Sequence, residues 1–188
     1  MAIVSSASGA EEIVDRIRAV LGLGVHMYVN ADLYCCDLDD LVPVAPPPYP
    51  SRVVAVDPPA DRQHFEAAGP AAVAEYDEAA EDGDRMFAVM RQDRLVAWTR
   101  FTTTDVCVGS GNVLVRGLWV GPAARTTGID TALVGTALRA VHHDTATRAA
   151  GMVGPGDDDL RRVLCALGFK GCGSTQQFRP LACLGPVR

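Results

Sequence analysis

The spacing of apolar residues divides most of the chain into short segments with either a helical or a strand period. The clearest helix is predicted over residues 128–143, where Ile129 and Leu133 fall on one face. A second helix is predicted over 157–167, and its acidic first turn suits the positive end of a helix dipole. Between them, the apolar run 148–153 predicts a strand. The second half of the chain is therefore expected to alternate strand and helix.

Turns interrupt the pattern in the part of the chain before these elements. Residues 60–80 have a helical pattern that Gly69 and Pro70 break, and residues 91–94 join two apolar runs into a hairpin. This order of elements predicts one mixed sheet with helices on both faces. The remaining helix is predicted over 8–21, and strands are predicted over 26–36, 52–56, 86–90, 95–103, 113–120, 168–173 and 176–184.

A proline-rich segment separates the beginning of the chain from this core. Residues 43–50 contain five prolines, which favour an extended linker. We therefore expect residues 1–50 to form an N-terminal extension that consists of a helix, a strand and the linker. Residues 51–188 are expected to form the main domain.

The acidic balance of the chain argues against one class of partner. The formal net charge is −6, whereas nucleic acid and anionic membranes attract a basic surface. We therefore expect neither nucleic acid nor a membrane among the partners. The first ten residues lack the pattern of a secretory signal, and no apolar run approaches the roughly 20 residues that span a bilayer. These features predict a cytoplasmic protein.

The cysteines do not have the spacing of a metal site. None of the six belongs to a Cys-x-x-Cys pair. In the expected compartment we interpret them as reduced thiols that pack as small apolar side chains, and we expect no metal. They are Cys35, Cys36, Cys107, Cys165, Cys172 and Cys183.

One strand-turn-helix segment has the composition of an anion site. The strand that ends at Val120 leads through Arg125, Thr126, Thr127 and Gly128 directly into the clearest helix. The first amides of a helix have no intrahelical partner and lie at the positive end of its dipole, so they can hold a pyrophosphate. A plain connection with an exposed arginine is the alternative that spacing alone leaves open.

The same segment resembles motif A of the GNAT (Gcn5-related) acetyltransferases. In that motif a strand ending Leu-x-Val precedes Arg/Gln-x-x-Gly-x-Gly/Ala, and residues 118–120 and 125–130 follow this frame up to its last position. Downstream, Leu167-Gly168-Phe169 is similar to the end of motif B, and residues 84–99 are similar to the second and third strands of the family. The resemblance extends over residues 51–184 in the family's order.

The resemblance implies an α/β (α+β) fold, with a central mixed, mostly antiparallel sheet flanked by helices on both faces. It also implies an enzyme that moves an acetyl or other acyl group from acyl-CoA to an amine by direct attack in a ternary complex, without a metal. In such a site, backbone groups of Leu118, Trp119 and Val120 pair with the pantetheine arm. The pyrophosphate is held by amides from the remaining motif residues, which are Arg125, Thr126, Thr127, Gly128, Ile129, Asp130 and Thr131.

Three positions depart from the family's pattern. Asp130 occupies the final Gly/Ala position, where a carboxylate would repel the pyrophosphate or cap the amides itself. Leu164 stands where a tyrosine often serves as the acid, and Arg116 stands where a carboxylate often serves as the base. The catalytic groups therefore stay unknown at this point, with Cys165 and Asp105 as weak candidates.

These departures define an alternative function. A GNAT-fold protein with a degenerate CoA site and no transferase activity would act as a binding or regulatory module. A different acyl-CoA reaction, such as decarboxylation, has no positive signature among the residues. The acceptor, either a small-molecule amine or a protein amine, is not readable from the sequence. Pairing of two copies through the C-terminal strands is a further expectation.

Overall fold

The protein is represented by a computed structural model that describes residues 2–5, 25–57, 60–102, 112–125, 127–144 and 146–180. Within these ranges, side chains are described from residue 31 to residue 174. The strands are β1 (Ala2–Ser5), β2 (Val25–Asp37), β3 (Ser51–Ala55), β4 (Arg85–Arg91), β5 (Arg94–Thr102), β6 (Asn112–Val120), β7 (Arg148–Val153) and β8 (Lys170–Pro180). The α-helices are α1 (Arg62–Ala68), α2 (Pro70–Asp82), α3 (Ile129–Asp144) and α4 (Asp158–Ala166).

All eight strands form one sheet in the order β1-β8-β2-β7-β6-β5-β4-β3. Neighbours pair antiparallel throughout, except β6 and β7, which pair parallel. A parallel pair needs a crossover connection, and here α3 supplies it. The mixed, mostly antiparallel sheet predicted from the sequence is thus confirmed.

The helices cover both faces of this sheet, as predicted. Alternate residues of β4 point to opposite sides: Phe87 belongs to a core with α3 and α4, and Met86 belongs to a core with α1 and α2. The core on the α3 side contains several side chains with no exposed surface, among them Leu133, Leu138 and Leu164. No helix in the described part of the chain has the length and apolar character needed to cross a membrane.

The break predicted inside the helical region 60–80 is present. The helix α1 ends at Ala68, and α2 begins with Pro70, which suits the first turn because the missing amide hydrogen has no partner there. The predicted hairpin also forms, with Gln92 and Asp93 in the left-handed backbone conformation between β4 and β5. The helix predicted over 8–21 lies outside the described residues.

The predicted extension and the predicted core share the sheet. The strand β2, which precedes the proline-rich segment, lies between β7 and β8 and pairs antiparallel with both. A division of the chain at residue 50 stays a prediction, but hydrogen bonding is continuous across it. The proline-rich segment also contacts the core, because Val44 packs so closely on α3 that a Cβ added at Gly135 would overlap with it.

Two expectations about the end of the chain were wrong. Residues 168–173 and 176–184 were expected to form two strands, but Lys170–Pro180 is one strand that continues through a register shift opposite Leu33 and Tyr34. The cysteines were expected to be reduced, but Cys35 of β2 and Cys172 of β8 form a disulfide, with their Cα atoms 6.1 Å apart. These two residues are 137 positions apart in the sequence, and strand pairing brings them together. The absence of Cys-x-x-Cys spacing does not exclude a disulfide of this kind.

Candidate active site

The candidate site begins where β6 and β7 separate. Their parallel pairing joins residues 112–115 to 148–151 and does not continue along the rest of the two strands. On its other side, β6 stays paired with β5 as far as Val120. A register shift at Arg116 bends β6 at the point of separation. The edge of β6 that faces β7 is therefore open over 117–120, and an extended ligand can lie along it like an added strand.

A cavity of about 110 Å³ lies at this open edge, where the first turns of α3 and α4 approach it. Three of its wall residues belong to β6, one precedes α3, one lies in the first turn of α3, and three come from the N-cap and first half of α4. They are Leu118, Trp119, Val120, Arg125, Asp130, Asp157, Asp159 and Arg162. The structure therefore brings together five of the ten residues predicted to bind the cofactor.

The other predicted residues of this set have different surroundings. The hydroxyl of Thr127 donates to the carbonyl of Ala124 at 2.7 Å, which closes the turn before α3. Gly128 has a φ of +73°, and open space lies where a Cβ would project, so its role is in the backbone conformation. Ile129 is fully buried in the core, and Thr126 lies outside the described residues.

Asp130 has its carboxylate buried at the beginning of α3. Its side chain is 3% exposed, and Oδ1 accepts from the backbone nitrogen of Thr131 at 2.7 Å. Its Oδ2 accepts from Nη2 of Arg162 on α4 at 2.6 Å. The hydrogen bond to Asp130 is the main reason that the pKa of Arg162 is raised. The sequence-based expectation that Asp130 would occupy a helix amide itself therefore agrees with this geometry.

The charges around this cavity are not those of an open anion site. Three carboxylates line it, those of Asp130, Asp157 and Asp159, against the guanidinium groups of Arg125 and Arg162. Arg162 also lies 3.4 Å from Asp159, so both acidic residues hold the same cation. An added pyrophosphate would be repelled unless one of these arginines turned toward it.

At the two positions where the family often has its acid and its base, this chain has no residue that takes over either role. Leu164 is fully buried and packs against Gly151 of β7, where a larger residue would overlap with it. Arg116 occupies the bend of β6, and its Nη1 lies 3.5 Å from Asp82 of α2. Of the two weak catalytic candidates, Cys165 is an exposed free thiol on α4 that lines neither cavity described here, and Asp105 lies outside the described residues.

A second cavity, of about 360 Å³, lies on the other side of β6, beneath α1 and α2. It shares three wall residues with the first cavity, namely Leu118, Trp119 and Asp157. Asp157 is the N-cap of α4, and its Oδ1 accepts from the backbone nitrogen of Leu160 at 3.3 Å. Its exposed carboxylate therefore lies where the two cavities meet.

Sequence reasoning missed Asp157, Arg162 and the second cavity. The acidic first turn of α4 was explained by the helix dipole alone, which accounts for Asp158 and Asp159 equally well. A signal was nevertheless present, because a carboxylate directly before a helix after Gly-Pro-Gly predicts an N-cap with a fixed position. Which cavity that cap faces depends on how α4 packs, and periodicity does not specify it.

Several solved structures with the same architecture are GNAT proteins. A GCN5-related N-acetyltransferase from Kribbella flavida superposes with a TM-score of 0.62 at 17% identity, over 87% of this chain and 63% of that one. A tandem GNAT protein from the clavulanic acid biosynthesis pathway gives 0.64 at 17%, over 100% and 64%. A GCN5-related N-acetyltransferase from Sphaerobacter thermophilus gives 0.62 at 13%, over 96% and 58%.

These likenesses establish the fold. No protein-family model matches the sequence, and neither does any curated protein. The chain also spans less than two thirds of the length of the three solved structures. The chain therefore has the GNAT fold, as the sequence resemblance implied.

Proposed function

We propose that this chain is an acyltransferase that moves an acetyl or other acyl group from acyl-CoA to an amine. The observation that carries this proposal is the open edge of β6, which has a cavity on each side and Asp157 in both walls. Such an arrangement suits a reaction between two substrates that must meet at one point. The GNAT architecture of the neighbouring structures supports it as a fold-level analogy.

In this proposal the cofactor occupies the first cavity and the cleft next to it. The pantetheine arm lies along the backbone of Leu118, Trp119 and Val120, and its amides replace the missing strand partner. The pyrophosphate lies against the turn from Arg125 to Thr131 at the beginning of α3. For this to happen, Arg162 exchanges its hydrogen bond to Asp130 for one to phosphate, or Arg125 turns toward the phosphate.

The second cavity holds the acceptor amine. Its nitrogen lone pair attacks the thioester carbonyl carbon, a C–N bond forms, and the C–S bond then breaks to release CoA as a thiolate. An amine that enters as the ammonium gives one proton to solvent before it attacks, and the nitrogen loses a second proton as the amide forms. We assign the removal of this second proton to the Asp157 carboxylate because that group lines both cavities. The thiolate takes a proton from solvent.

A binding or regulatory role without catalysis is the second candidate. The observation that favours it is the buried Asp130 carboxylate, which is already paired with Thr131 and Arg162. In that case the pair would fill the anion site permanently, and CoA would not bind. The two candidates therefore differ first in affinity for CoA.

Calorimetric titration of the full chain with acetyl-CoA and with CoA tests the proposal, followed by thiol release in the presence of primary amines. We expect binding of both cofactors and amine-dependent release of CoA. Binding without release, in a panel that includes small amines and lysine peptides, would favour the regulatory role. Absence of binding by wild type and by Asp130→Gly would overturn the cofactor assignment.

A further inference from the structure

The wall of the second cavity combines apolar and charged residues. Seven of its ten residues are apolar and come from α1, α2, β5 and β6, and the other three are charged. The apolar part consists of Ala68, Ala71, Ala72, Trp98, Gly117, Leu118 and Trp119, and the charged part of Glu75, Arg116 and Asp157. Its volume of about 360 Å³ is near the lower end of the roughly 300–1,000 Å³ typical of small-molecule pockets. A compact molecule with an apolar body fits this shape.

The electrostatic balance beside the cavity is negative. Buried Arg100 lies under α2, where its guanidinium faces four carboxylates, with Nη2 at 2.6 Å from Asp82 and Nη1 at 3.3 Å from Glu78 and 3.9 Å from Glu75. The fourth is the buried carboxylate of Asp84.

Arg116 adds one more guanidinium, but it shares Asp82 with Arg100. Asp157 contributes a further carboxylate, and in the first cavity it lies among two other carboxylates and the two guanidinium groups of Arg125 and Arg162. The carboxylates therefore outnumber the guanidinium groups, and the resulting field favours a cation in the cavity and disfavours an anion.

One tryptophan contributes an apolar part of its ring to this wall. Trp98 is 5% exposed, and its six-membered ring lies 3.5 Å from the position of a Cβ at Gly117, another wall residue, so this glycine leaves room for the indole. The indole nitrogen is buried without a hydrogen-bond partner in the described structure, so it offers no donor to a molecule in the cavity. Trp98 therefore adds to the apolar part of the wall.

We propose that the second cavity binds a small primary amine that has an apolar body and no carboxylate. This inference rests on the proposed function for the fate of the amine, but the binding itself requires no cofactor. The ammonium group lies toward Glu75 and Asp157, and the body lies against the two tryptophans and the alanines.

Four ligands of one shape test the recognition without CoA. 4-Methoxyphenethylamine and 4-ethylphenethylamine both have an ammonium group, an apolar body and no carboxylate. O-methyltyrosine adds a carboxylate, and 3-(4-methoxyphenyl)propionate replaces the amine by one. Calorimetry with the full chain should give the tightest Kd values for the two amines and Kd values at least about tenfold weaker for both carboxylates. Equal or tighter binding of either carboxylate would overturn the inference.

Two variants assign the recognition to residues. Glu75→Gln should weaken the methoxy amine about fivefold, whereas Glu78→Gln on the same helix, which also faces Arg100 but does not line the cavity, should leave the Kd unchanged. Circular dichroism shows whether each variant folds.

The outcomes separate this inference from the proposed function. If the amines bind as expected but acetyl-CoA does not, the cavity assignment stands and the transferase proposal fails. If acetyl-CoA is consumed with lysine peptides while none of the four ligands binds, the transferase proposal stands and the cavity assignment is wrong. If binding occurs but Glu75→Gln and Glu78→Gln behave alike, the cavity is not the binding site.

Discussion

Two helices, α3 and α4, begin beside the same cleft, and each has an aspartate in or directly before its first turn. In α3 the Asp130 carboxylate is 3% exposed and is held by Thr131 and Arg162. In α4 the Asp157 carboxylate caps Leu160 at 3.3 Å and is exposed to both cavities. Both residues are aspartates at a helix N-terminus, but Asp130 is buried and paired with a cation, whereas Asp157 is exposed.

The difference shows that the helix dipole alone does not decide what an N-terminal carboxylate does. Both groups are favoured by the dipole of their helix. Only Asp130 has lost its contact with water and acquired a strong cationic partner, so it stabilises the packing of α3 against α4. Asp157 keeps an accessible oxygen and is available to a substrate.

The largest effect is expected from a substitution of Asp157, the exposed aspartate of the two. Asp157→Asn should lower kcat for acyl transfer by about a hundredfold or more, because a positioned base contributes on that order. Asparagine is also a good N-cap, so thermal stability should change little. Asp158→Asn is the matched control, since Asp158 lies in the same turn but lines neither cavity. Unchanged kcat in Asp157→Asn would place the base elsewhere.

A smaller effect is expected when Asp130, the buried aspartate, loses its partner Arg162. Arg162→Ala leaves the Asp130 carboxylate buried without a cation and should lower the free energy of unfolding by about 2 kcal/mol, a value reduced because Arg162 is half exposed. Urea denaturation measures it. Arg161→Ala, which removes pairs with the exposed carboxylates of Asp158 and Asp32, should cost less.

The double variant Asp130→Asn/Arg162→Ala sharpens this test. It leaves no buried carboxylate without a cation and should be more stable than Arg162→Ala alone. If the double variant were the less stable of the two, the cost would come from packing and not from charge.

The smallest effect concerns cofactor affinity. Asp130→Asn keeps the acceptor for Thr131 but removes a negative charge and releases Arg162, so CoA should bind about tenfold more tightly, which corresponds to roughly 1.4 kcal/mol. Asp159→Asn removes a more exposed charge from the same cavity and should have an effect of about twofold. Calorimetric titration compares the two, and weaker binding by Asp130→Asn would mean that its carboxylate supports the anion site.

The sequence was informative wherever neighbouring residues determine the structure. The strand 148–153, the break at Gly69-Pro70 and the hairpin turn at Gln92-Asp93 follow from local period and backbone preference, and the structure has all three. The strand-turn-helix at Val120 was likewise found, because its composition and its order coincide along one short segment.

What the sequence did not predict depends on residues far apart in the chain. The insertion of β2 between β7 and β8 and the bond between Cys35 and Cys172 both arise from strand pairing, which has no local signature. The pairing of Asp130 with Arg162 likewise depends on how α4 packs against α3. The order of the motifs was therefore enough to predict the fold. It was not enough to predict that Asp130 and Arg162 pair at the candidate site.

The position of β2 has a consequence for how the protein reaches its native state. β2 is synthesised early, but it cannot pair with β8 until that strand has been synthesised too. Cys35 of β2 and Cys172 of β8 are 137 residues apart. Closing so long a segment costs chain entropy before any pairing compensates for it, and topologies of high contact order fold slowly. Until then, β2 presents an unpaired edge on the ribosome, where chaperones act on exposed strands.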